Sequence, residues 1–195
     1  KKLTFNLIED DQRCTTKKIR FVSDNQQILR VDREETKQIT HKIESKIYDL
    51  FKKQVDHIDV IVISDYSKGM LTDSLLKSII QTSKRKKKII IVDPKKKDFT
   101  SYKGSTIITP NFKELLEASG YQPKNEKKIN KNEASEIVSK LSKRIIKNFE
   151  FNAVVTTRSS DGISIIDKQN KSLHLPSKAK EVYDVSGAGD TVIAY

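Results

Sequence analysis

The chain has 195 residues, 35% of them hydrophobic and 33% charged, a length that means one domain or one domain with a small appendage. No apolar run approaches the roughly 18 residues of a membrane span, and the single cysteine, Cys14, excludes an internal disulfide framework and a multi-cysteine zinc site. The formal net charge of +12 comes from 31 lysines and seven arginines; readers of bases and phosphates lean on arginine, so the charge reads as a solvated lysine surface that draws small anions, with no nucleic-acid and no membrane partner.

Taken in order, residues 15–32 predict a hairpin. Lys17 to Val22 is rich in β-formers, Ser23-Asp24-Asn25 supplies turn chemistry, and Gln27 to Val31 returns. A lone hairpin is marginal in water, so this one belongs to a larger small sheet or covers something. A helix is predicted over 32–57 from Ile39, Ile43, Ile47, Leu50 and Phe51. A continuously apolar strand follows at 59–64, of the kind found with both faces covered. Gly69 turns the next loop, and Thr72 caps a helix with Leu75, Leu76, Ile79 and Ile80 on its apolar side. A basic run at 84–88 ends that helix, as its dipole favours. Strands at 89–93 and 106–109, a helix from Pro110 to about Gly120, a polar stretch at 122–130 and a helix at 131–148 come next. Strands at 153–157, 163–166 and 172–175 complete the order. Strand–helix alternation implies an α/β fold with a mainly parallel sheet flanked by helices. The early hairpin stands apart from that sheet as a lid. The division expected is therefore residues 1–32 as part of a β lid and 33–195 as the core.

Ligands bind beyond the C-terminal ends of strands in such sheets. That rule selects Ser64 to Lys68, Asp93-Pro94-Lys95, Thr109-Pro110-Asn111 with Glu114, Thr157 to Gly162, and the terminal run Asp184-Val185-Ser186-Gly187-Ala188-Gly189-Asp190. Together they offer lysines for phosphate charge and carboxylates for magnesium. In the terminal run two glycines flank an alanine before a helix start, a ready anion site. Asp190 beside it could take a proton from a hydroxyl; it could equally be a helix N-cap. Neither the Walker sequence nor G-x-G-x-x-G after a strand is present. His41, His57 and His174 have no ligand spacing, and Cys14 has no evident activating partner.

Three of these stretches carry a resemblance. Asp184 to Asp190 resembles the D-[T/V]-x-G-A-G-D loop of the ribokinase-like carbohydrate kinases. Asn111-Phe112-Lys113-Glu114 resembles their N-x-x-E magnesium–ATP motif, and Thr157 with Ser159 to Gly162 resembles their nucleotide loop. The order is also the family's. Further stretches, among them Arg13 to Arg20, Ser64 to Gly69, Asp93-Pro94-Lys95 and Glu181 to Val185, are similar to the heptose 7-phosphate kinase branch of that family. The resemblance implies a ribokinase-like fold with a small β lid, and ATP and Mg2+ as cofactors. It implies a cytoplasmic bacterial enzyme that phosphorylates the anomeric hydroxyl of D-glycero-β-D-manno-heptose 7-phosphate for lipopolysaccharide-core synthesis. By position, Asp190 is the base, and the Gly187, Ala188 and Gly189 N–H groups form the anion hole. Asn111, Phe112, Lys113 and Glu114 border Mg–ATP, with Glu114 reaching the metal through water. Thr157 and Gly162 border the nucleotide. Lys95 is a further candidate for ATP or sugar-phosphate charge, and Lys68 and Asp65 are candidates for the sugar phosphate. A homodimer through the lid is expected. Lys96 and Ser159 stand where the family places glycine. Relative to the family, sequence is missing at both ends, and an adenylyltransferase domain is absent. Two alternatives stay open: another sugar or nucleoside kinase of this fold, or a fragment that binds without catalysis.

Overall fold

The computed structural model describes residues 4–23, 26–122, 131–177 and 191–192. Strands β1 (Lys17–Ser23) and β2 (Gln26–Arg33) pair antiparallel in a two-stranded sheet of their own. Ile19 faces Val31 and Phe21 faces Leu29, while Lys18 faces Asp32 and Arg20 faces Arg30. Side chains alternate across a strand, so the ribbon has one apolar and one polar face. Every residue of both strands is exposed. On the polar face the Arg30 guanidinium donates to both oxygens of Asp32, at 2.8 and 2.5 Å.

Helix α1 (His41–Gln54) starts well after the position its apolar spacing indicates. Thr40 caps it, and its hydroxyl accepts from the Ile43 N–H. Residues 34–39 are used otherwise. The Arg13 guanidinium donates to the carbonyls of Glu35 and Lys37, and the Ile39 N–H donates to the Gly69 carbonyl at 2.9 Å. Ile39 is nonetheless buried, so it continues the helical apolar pattern from outside the helix. One 3-10 turn, Val55–His57, then leads to the main sheet.

That sheet has six strands: β3 (Val60–Ser64), β4 (Ile89–Asp93), β5 (Ile107–Ile108), β6 (Ala153–Thr157), β7 (Ile163–Asp167) and β8 (Ser172–Leu175). Their spatial order is their chain order. β3 to β6 are parallel; β7 and β8 return antiparallel. Helix α2 (Asp73–Arg85) connects β3 to β4, and α3 (Phe112–Ser119) with α4 (Lys131–Phe149) connects β5 to β6. Parallel crossovers are right-handed. Strands that add in one direction therefore stack their crossover helices on one face.

The core follows that geometry. Ile63, Val92, Ile108, Val154 and Ile166 are cross-strand neighbours and are 0–5% exposed. With Ile61 and Ile90 they pack against Leu75, Leu76, Ile79 and Ile80 of α2 and Val138, Leu141 and Ile145 of α4. Each such burial is worth about 1.5–3 kcal/mol. The opposite face carries Val60, Val62, Ile89, Leu173 and Leu175, which are 44–52% exposed. The continuous apolar runs predict cover on both faces; among the described residues the helices supply it on one.

Candidate functional site

The C-terminal ends of β3 to β6 lie along one edge, and a line of contacts runs through it. It starts at Asp65, after β3. The Asp65 carboxylate is 5% exposed; it accepts from the Ser67 N–H at 2.7 Å and from the Tyr102 hydroxyl at 2.5 Å. Tyr102 comes from the 3-10 turn Thr100–Tyr102 between β4 and β5. Its oxygen accepts in turn from the Lys95 and Lys96 N–H groups, at 3.4 and 3.3 Å. Burial, and then the Asp65 carboxylate, push the Tyr102 phenol far above its ordinary range. The hydroxyl therefore stays a donor and holds the loops after β3 and β4 together.

Lys95 extends the line. Its Nζ lies 3.0 Å from Glu114 Oε1, and the hydrogen bond and charge of Glu114 raise the lysine above its usual pKa. Glu114 is fixed by a capping box. Its other oxygen accepts from the Asn111 N–H at 3.0 Å, and Asn111 Oδ1 accepts from the Glu114 N–H at 2.9 Å. An N-x-x-E pattern at a helix start closes such a box, so these two residues serve the fold as well as any ligand. Asn111 forms an isolated parallel bridge with Thr157, whose N–H donates to the Pro110 carbonyl at 3.2 Å. Gly162 closes the next loop by donating from its N–H to the Ser159 carbonyl at 3.1 Å. Its φ of +90° and the backbone of 175–177 leave no room for a side chain, since a Cβ there would meet the Leu175 oxygen at 2.0 Å.

Asp65, Lys95, Asn111, Glu114, Thr157 and Gly162 thus share one edge. Phe112 packs against the core, and Lys113 is exposed and 3.9 Å from Glu117. Lys68 pairs with Glu34, which partly neutralises it. Gly187, Ala188, Gly189 and Asp190 lie outside the described residues; Thr191 and Val192, which follow them, are helical.

Beside Asp65 is a cavity of about 290 Å3, lined by Thr16, Lys18, Ser64, Asp65, Tyr66 and Lys68 together with Met70 and Leu71. The start of the ribbon forms part of its wall, and Lys18 Nζ sits 5.9 Å from the centre of the Tyr66 ring. Arg13 secures this corner by donating to the Lys68 carbonyl at 2.5 Å as well as to Glu35 and Lys37. Gly69, at φ +77°, abuts the Lys37 carbonyl so closely that a Cβ would lie 2.1 Å from it. A second cavity, of about 430 Å3, lies between α2 and the Thr100–Tyr102 turn. There Asp73 is paired with Lys96, and Glu150 with Lys103, so opposite charges already meet.

Arg13, Glu34, Tyr102 and Arg158 were not singled out one by one from the sequence. Their partners lie 22 to 55 positions away for Arg13, 34 for Glu34, 37 for the Tyr102–Asp65 bond and 23 for Arg158–Ser135. No local pattern encodes such distances.

The fold is an α/β sheet whose candidate ligand-binding loops follow the C-terminal ends of its parallel strands. The profile of the pfkB family of carbohydrate kinases matches residues 3–194, and the chain belongs to that family. The bifunctional protein HldE of Geobacter metallireducens is 40% identical over 188 residues, which is 96% of this chain and 36% of that protein. Among solved structures, phosphofructokinase-2 from Escherichia coli in complex with substrates and products has a TM-score of 0.67 at 16% identity, over 91% of this chain and 55% of that one. Ribokinase from Giardia lamblia has a TM-score of 0.65 at 18% identity, over 93% and 53%. The chain spans about a third of the curated relative's length and about half of each solved structure. No described helix is long and apolar enough to cross a membrane.

Proposed function

We propose that the protein of which these residues form part is an ATP-dependent sugar-phosphate kinase. It phosphorylates the anomeric hydroxyl of D-glycero-β-D-manno-heptose 7-phosphate to the 1,7-bisphosphate, in the cytoplasm, as a step toward the lipopolysaccharide core. The observation that carries this reading is the 40% identity to a bifunctional HldE along 96% of the chain. An adenylyltransferase fused to the kinase in the intact protein belongs to the same reading.

In this reading Asp190 takes the proton of the anomeric hydroxyl as its oxygen attacks the γ-phosphorus of ATP and the bond to ADP breaks. The Gly187, Ala188 and Gly189 N–H groups bear the charge on the transferred phosphoryl group, as such transfer needs mainly positioning and charge stabilisation. Asp65, Lys68 and Lys18 border the sugar-phosphate cavity, and Thr157 and Gly162 border the nucleotide. The donor set fits magnesium held largely by phosphate and water. Among the described residues no group of three or more His, Cys, Asp or Glu side chains could hold a metal, while Glu114 presents a carboxylate whose partner, Lys95, is an exposed cation. Mg2+ would shield the phosphate charge there. The apolar ribbon face of Ile19, Phe21, Leu29 and Val31 supports a lid that pairs with a second copy; a monomeric mass in solution removes that part.

A panel of sugars and sugar phosphates with ATP, on the intact protein, tests the reading. Turnover is expected with heptose 7-phosphate and a product phosphorylated at C1. Turnover of a different sugar alone overturns the substrate, and no turnover of any sugar overturns the activity.

A further inference from the structure

Arg158 is a buried cation that the phosphoryl-transfer reading leaves unused. It follows Thr157 at the end of β6 and is 7% exposed. Its guanidinium donates to the Ser135 hydroxyl of α4 at 2.8 Å and to the Asp161 carbonyl at 3.2 Å. Its Nε is buried with no partner among the described residues. A buried charge with an unsatisfied donor is costly, and groups of that kind call for an explanation beyond packing.

The loop it enters is strained. Ser159 has φ +54° and Gly162 has φ +90°, and a non-glycine residue on the positive side persists only where its surroundings over-determine it. Here Arg158 supplies both ends of the determination. Its N–H donates to the Gly162 carbonyl at 2.8 Å and its carbonyl accepts from the Asp161 N–H at 3.0 Å. Its side chain then bolts the same turn to the second turn of α4. His174 on β8 lies close enough that the Arg158 charge, after burial itself, lowers its pKa. So α4 and the 158–162 loop meet at this one side chain.

We propose that Arg158 is a positioning residue for the nucleotide: it holds the 158–162 loop in its ligand-ready shape by tying it to Ser135. The inference rests on the reading of Thr157 and Gly162 as the nucleotide border. Only a planar fork reaches two acceptors in fixed directions, so lysine keeps the charge and loses the geometry. Pre-organisation of this kind acts on binding, because a loop that must be ordered by the ligand weakens it.

The test is steady-state kinetics and thermal unfolding of the intact protein carrying Arg158→Lys, Ser135→Ala or both. Arg158→Lys is expected to raise KM for ATP roughly tenfold, the scale of one lost charge-assisted hydrogen bond. KM for the sugar phosphate and kcat should change little. Ser135→Ala is expected to raise KM for ATP by a smaller factor, and the double variant should resemble Arg158→Lys, since the two residues share one bond. A lowered Tm with KM for ATP unchanged in both single variants overturns the inference and leaves the kinase reading standing. A wild-type protein whose rate does not saturate with ATP removes the nucleotide reading, and the inference with it.

Discussion

The two faces of the six-stranded sheet have nearly the same composition and opposite surroundings. On one, Ile90, Val92, Ile108, Val154 and Ile166 are fully buried under α2 and α4. On the other, Val60, Val62 and Ile89 are about half exposed, although their side chains are as apolar. Strand composition thus records what a sheet is built to have against it, and the path of the chain decides what it does have. The β1–β2 ribbon repeats the lesson on a smaller scale, with an apolar face that nothing among the described residues covers.

Both faces end at the edge of the candidate site, while the largest effect is expected from Asp190, which lies outside the described residues. In the intact protein Asp190→Asn should lower turnover by roughly 10²- to 10⁴-fold, the range of a general base. Near-normal turnover would remove Asp190 from the proposed mechanism.

The comparison of faces is next in size. Ile90→Ala should cost about 2–5 kcal/mol in urea unfolding, whereas Val62→Ala should stay within about 0.5 kcal/mol, as at other exposed positions. Equal losses would break the contrast and mean that the second face is covered too.

A hydroxyl shared by two loops comes third. Tyr102→Phe keeps the buried ring and removes the donor to Asp65, for an expected loss of about 1–3 kcal/mol. An unchanged midpoint would mean that water replaces the hydroxyl and that Tyr102 does not join the loops after β3 and β4.

The smallest effect joins α1 to α2 on the covered face. Glu44 accepts from the Ser74 and Thr72 hydroxyls, both at 2.7 Å, and these bonds, Ser74's first, hold it below its ordinary 4.5. A carboxylate lowered on folding adds stability above pH 4.5, and that stability is lost as the pH falls through the lowered value. Glu44→Gln should therefore lower unfolding stability at pH 7 by roughly a few tenths of a kcal/mol after solvent screening, read as a small drop in Tm, and the gap should close in acid. A gap that is constant with pH would exclude the carboxylate charge as its source.

By itself the sequence determined the α/β class, the hairpin apart from the sheet, the succession of elements along the chain and the loops that follow the parallel strands. Apolar period, turn residues and the N-x-x-E cap are local signals, and Asn111 with Glu114 forms the box that such spacing requires. The apolar spacing sets the start of α1 too early because Ile39 continues the helical period while the chain is still bound to Arg13 and Gly69. Tertiary structure alone decided that the four described helices share one face, that Asp65 is tied to Tyr102, that Lys95 meets Glu114, and that Arg158 is buried against α4. These depend on pairs brought together by the crossovers, 19 to 37 positions apart. Separation of that kind leaves no trace in a window of neighbouring residues.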